Sequence, residues 1–131
     1  MKKLFSLGIL SSLFLFALSC SKDSDPNPTL LGTWIETSTS ASGCTNPSEN
    51  VTTNCIDTDC RTLIIESNSI RQSFLFYSYT TQGDQLILTP SGSTSSLTFT
   101  FKVTATTLTI TGQDSPANGN CTNTTVYNKL I

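Results

Sequence analysis

Histidine is absent from the 131 residues, and with it the side chain that most often moves protons or ligates metal near neutral pH. Charge is scarce too: 12% of the chain, with 7 Lys and Arg against 9 Asp and Glu. Cations so few and scattered in an acidic chain make a poor phosphate-binding surface, which excludes nucleic acid as a partner. No close Ser-Lys pair, carboxylate pair or Cys-based constellation stands at a catalytic spacing, so the chain reads as non-enzymatic, with no catalytic residues, no metal and no cofactor. Beyond residue 20 no stretch sustains a helical period.

What is present begins with a leader. Lys2 and Lys3 precede an apolar run, Leu4 to Leu18, that is too short and too abruptly ended for a membrane span, so residues 1–19 read as a secretion signal. Its end, Ala17-Leu18-Ser19-Cys20, resembles the lipobox of bacterial lipoproteins. The resemblance implies that the Cys20 thiol carries a diacylglycerol and the new amine a further acyl chain of the palmitate kind. More than one chain anchors stably, at about 0.8 kcal/mol per buried methylene. Ser21-Lys22-Asp23-Ser24-Asp25 resembles the acidic tract that follows the lipidated cysteine in surface-exported lipoproteins of Bacteroidetes. The expected location is the outer membrane, lipid-anchored through Cys20 and surface-exposed. Loss of Lys2 and Lys3 with the leader leaves five basic against nine acidic residues, a net charge of −4.

Residues 20–29 hold Asp, Pro and Ser without a large apolar side chain and read as a flexible acidic linker. Residues 30–131 then suffice for one small domain. Ser and Thr make up about a third of the chain, yet Phe, Ile, Leu and Tyr recur in short clusters, which favours an ordered all-β domain over disorder. The first strand is expected at Leu30 to Thr37 with Trp34, the only Trp, pointing inward. Residues 38–59 are expected to form a long polar connection. Apolar clusters follow at Cys60–Glu66, Ile70–Thr81 and Gln85–Thr89, separated by turn residues. Leu97, Phe99, Phe101 and Val103 alternate with polar residues, as do Leu108 and Ile110. The last segment, Cys121–Ile131, offers Val126, Leu130 and Ile131 as its apolar set against Tyr127 and Lys129. Seven strands joined mostly by short turns predict an up-and-down antiparallel barrel in which the first and last strands pair; a sandwich with crossing connections is the alternative.

With Cys20 assigned to lipid, Cys44, Cys55, Cys60 and Cys121 remain, an even number in an exported chain. Two disulfides follow, with three possible connectivities. In a closed meander Cys44, Cys60 and Cys121 gather at one end with Cys55 nearby, so at least one bridge is expected from the 44–60 segment to Cys121, contributing about 4 kcal/mol. A thiolate metal site lacks the paired short spacings of zinc ribbons. Asn54–Asp59 carries carboxylates but lacks the Gly and terminal Glu of a calcium loop.

Leu31-Gly32-Thr33-Trp34, the stretch Tyr79 to Leu88, the stretch Val103 to Ile110, and Cys121 to Leu130 together resemble the lipocalin-like domain lipoproteins of Bacteroidetes. The resemblance covers residues 30–131 and implies a small lipocalin-like antiparallel barrel of seven to eight strands without catalytic residues. It leads to a cell-envelope binding module for a small apolar ligand, with Trp34, Phe74, Phe76, Phe99 and Phe101 as candidate lining. In so small a domain a solid core built from the same aromatics is the competing expectation. The alternative function is an accessory lipoprotein that contacts an envelope protein through the 38–59 segment, for which exposed Tyr77 and Tyr79 would speak.

Overall fold

Alternation of apolar side chains with Thr and Ser, broken by turn residues every few positions, carries most of the described residues into strands in the computed structural model. It describes residues 29–131. The leader 1–19, Cys20 and the linker as far as residue 28 lie outside the described residues. The strands are β1 (Gly32–Ser42), β2 (Val51–Asn54), β3 (Thr62–Ile65), β4 (Ser69–Gln72), β5 (Leu75–Gln82), β6 (Gln85–Pro90), β7 (Leu97–Val103), β8 (Thr107–Gln113) and β9 (Thr122–Lys129). All pairs are antiparallel. From β3 onward each strand pairs with the next, and β9 returns to β1 with Trp34 opposite Lys129 and Ser42 opposite Thr122. An eight-stranded barrel is thereby closed, leaving no free edge in the ring.

β1 is long enough to use one edge twice. Gly32–Ile35 pair with β3, and Ser38–Ala41 pair with β2, the ninth strand, which stands outside the ring. Between these halves the register of β1 against β9 shifts at a bulge between Glu36 and Ser38, where the Thr37 hydroxyl donates to the Val126 carbonyl at 3.1 Å. The expected polar connection over 38–59 is thus corrected: it holds the end of β1, the short 3₁₀ turns Pro47–Glu49 and Asp57–Asp59, and β2 between them. β2 is exposed along its length, so it carries none of the apolar alternation by which a half-buried strand is recognised. The single expected strand Ile70–Thr81 is also two strands. The chain reverses at Ser73 (φ 53°), which lets Gln72 pair with Leu75, and neither Gly nor Pro marks the place.

The core fills the barrel from its closed end. Trp34, Leu86 and Leu108 are fully buried, with Leu63, Ile65, Ile70 and Tyr127 beside them and Phe101, Val103 and Tyr79 packed at the edge. Burying an aromatic of the size of Trp34 removes area worth roughly 4–6 kcal/mol. Its indole N–H donates to the Leu30 carbonyl at 2.8 Å, and the Lys129 ammonium lies over its ring, 5.2 Å from the centroid. Gly32 permits this closure: its φ is +137°, and a Cβ there would stand 2.9 Å from Lys129 Cε.

In β9 the inward parity differs from the expected apolar set. Pairing of Leu108 with Tyr127 turns Tyr127 inward, while Leu130 and Ile131 are exposed. Register decides the face here, because a one-residue shift would invert every side chain.

Candidate binding site at the open end of the barrel

Opposite Trp34 the apolar filling stops short of the rim. Leu63 and Ile70 from the core, with Leu88, Leu97, Phe99 and Ile110, bound a cavity of about 200 Å³ that opens between the starts of β3, β7 and β9 and the ends of β4 and β8. Tyr77, Tyr127, Gln72, Thr125 and Arg61 complete the wall and supply its polar groups.

Arg61 immediately precedes β3 and is fixed twice. The Glu36 amide donates to its carbonyl at 2.9 Å, and its guanidinium donates through Nε to Glu36 Oε2 at 2.6 Å and through Nη2 to Glu36 Oε1 at 3.2 Å. Thr39 Oγ1 also donates to Glu36 Oε1, at 2.9 Å, because the bulge returns Thr39 to the face of Glu36. The side chains of the pair differ in exposure, Arg61 51% and Glu36 11%, so the carboxylate is the embedded partner and the guanidinium reaches the rim. The hydrogen bond to Glu36 raises the Arg61 pKa against a smaller lowering by burial. Tyr127 is 5% exposed, and its hydroxyl accepts a long hydrogen bond from Gln72 Nε2 at 3.5 Å. Burial, then the nearby Glu36 carboxylate, push the Tyr127 pKa above its ordinary value, so it stays a neutral phenol.

Two disulfides flank this end. Cys44–Cys121 ties the end of β1 to the start of β9 across 77 residues, as the closed meander led one to expect, and Cys55–Cys60 staples the turn before Arg61. The Cys55 amide donates to the Thr37 carbonyl at 2.8 Å, which holds that turn against the bulge. Glu49 approaches the Cys44–Cys121 bridge, but both sulfurs are spent in the bond and offer no thiolate to a metal.

The expected lining is largely redistributed. Phe99 lines the cavity. Trp34 lies at the closed end, and Phe101 packs against the core without reaching the cavity. Phe74 and Phe76 are placed outside: Phe74 is 94% exposed at the β4–β5 turn, and Phe76 stands on the outer face opposite Arg71. The turn at Ser73 causes this, since a continuous strand through 70–81 would have kept a single parity. Tyr77 and Tyr79 are half-buried against the core rather than forming an exposed cluster. Arg61, Gln72 and Tyr127 were not singled out beforehand, although the alternation Arg61, Leu63, Ile65 already sets the arginine on the apolar face of its strand.

No protein-family model matches the chain, and comparison with curated proteins and with solved structures finds no match.

Proposed function

We propose that the chain is a lipid-anchored cell-envelope lipoprotein of the lipocalin-like kind whose barrel binds a small, mainly apolar molecule without transforming it. The observation that carries this reading is the cavity at the open end of an otherwise filled barrel. A volume of about 200 Å³ exceeds an apolar cavity of roughly 150 Å³ that takes up benzene and falls short of the roughly 300–1,000 Å³ of drug-sized pockets. The occupant is therefore about the size of one substituted ring. The two disulfides suit an oxidising compartment, in keeping with the leader and the Cys20 junction. β1 begins at the closed end beside Trp34, so the chain enters the barrel at the end opposite the mouth.

Native mass spectrometry of the mature protein, isolated from its host and freed of its lipid, tests the reading. A co-purifying small molecule that is lost from a Phe99→Trp variant, in which the cavity is filled, is the expected result. A bare protein that instead captures one envelope protein would sink it. That second outcome belongs to an accessory role, which the exposed Phe74 and Phe76 favour.

A further inference from the structure

The polar groups of the cavity restrict what its occupant can present. Tyr127 Oη accepts from Gln72, yet its own proton meets no acceptor among the described residues, so a buried O–H is left to donate into the cavity. Among the described residues lining the cavity Arg61 alone is charged, and it is already paired: Glu36, behind it, holds the guanidinium with both oxygens and also accepts from Thr39. A cationic ligand would have to displace Arg61 to reach the carboxylate. An anionic one would meet a guanidinium whose charge Glu36 already offsets, and would give up its hydration for little electrostatic gain.

We infer that the ligand is a ring-sized apolar molecule ending in one neutral hydrogen-bond acceptor, a ketone, aldehyde or ester carbonyl, whose oxygen takes the proton of Tyr127. This rests on the binding reading given above. The rest of the ligand lies against Leu63, Leu88, Phe99 and Ile110. Recognition is then by shape and the Tyr127 donor, and Glu36, by pairing with Arg61, offsets the pull of the guanidinium on a carboxylate.

Isopropylbenzene, acetophenone and benzoate share nearly one shape and differ in the head group, and the mature chain with Cys20→Ser is the protein to titrate with them. Residues 29–131 contain the closed barrel, its core and both bridges, so this chain keeps its fold without lipid. Binding is read from the methyl resonances of Leu63, Leu88 and Ile110. Acetophenone is expected to bind at least tenfold more tightly than benzoate. Tyr127→Phe should weaken acetophenone about fivefold, the worth of one net hydrogen bond, and leave isopropylbenzene within twofold. Glu36→Gln, which frees the guanidinium while keeping the shape, should raise benzoate affinity about tenfold. Benzoate binding as tightly as acetophenone, or Tyr127→Phe weakening both neutral probes alike, overturns the head-group assignment and leaves the cavity a binding site. Silence of the wall methyls to all three probes overturns the binding reading itself.

Discussion

Removal of the Cys44–Cys121 bridge is the sharpest test of how the barrel is held shut. The bridge spans 77 residues, and in the chain-entropy model a loop of that length lowers the entropy of the unfolded chain enough to stabilise the fold by about 4.5 kcal/mol. The same expression applied to Cys55–Cys60, separated by 5 residues, gives about 2 kcal/mol. Against a total of about 5–15 kcal/mol for a domain of this kind, the first loss is large and the second moderate. The double variants Cys44→Ser with Cys121→Ser, and Cys55→Ser with Cys60→Ser, should therefore differ by about 2.5 kcal/mol in urea unfolding. Trp34 is the natural reporter, being the only Trp and fully buried. Because the effect acts on the unfolded ensemble, the first variant should also show a steeper dependence on denaturant, as its unfolded chain exposes more surface. Equal losses in the two variants, or a loss below about 1 kcal/mol in the first, would refute the reasoning and place the stability of the closure in the β1–β9 ladder alone.

Trp34→Ala should cost about 3–5 kcal/mol, measured by circular dichroism because the fluorophore is lost, since Trp34 is fully buried and its removal leaves a cavity in the core. At Gly112 a Cβ would stand 2.7 Å from the Phe99 ring; Gly112→Ala should destabilise by about 1–3 kcal/mol in urea unfolding and, by driving the ring toward the cavity, weaken isopropylbenzene binding in the methyl titration. Phe74→Ser should change stability by less than about 0.5 kcal/mol in the same assay, while lowering retention on a hydrophobic-interaction column. Burial raises the folded-state pKa of Tyr127, so its contribution to stability is complete below the ordinary tyrosine value of about 10 and is lost as pH rises through the raised value. Urea midpoints should accordingly fall from about pH 9 to about pH 11, and less so in Tyr127→Phe.

The fold was legible where burial writes a period into the chain. Leu97, Phe99, Phe101 and Val103 face one side as their alternation predicts, Trp34 lies in the core, and the even set of cysteines forms two bridges, one of them to Cys121. β2 escaped notice because all its residues are exposed, and so did the reversal at Ser73, because a serine at positive φ carries no composition signal.

By itself the sequence determined what depends on local pattern: an all-β domain, a meander able to close, the parity of its best strands and the number of bridges. Only the tertiary structure decided what depends on register and curvature. The bulge in β1 brings Thr39 back to Glu36, the pairing of Leu108 with Tyr127 turns a phenol inward, and the turn at Ser73 sends Phe74 and Phe76 out to solvent. A cavity is the space left between side chains from seven strands and a loop, so no single stretch of chain encodes it. Cooperation between distant pairings placed Arg61, Gln72 and Tyr127 on one wall.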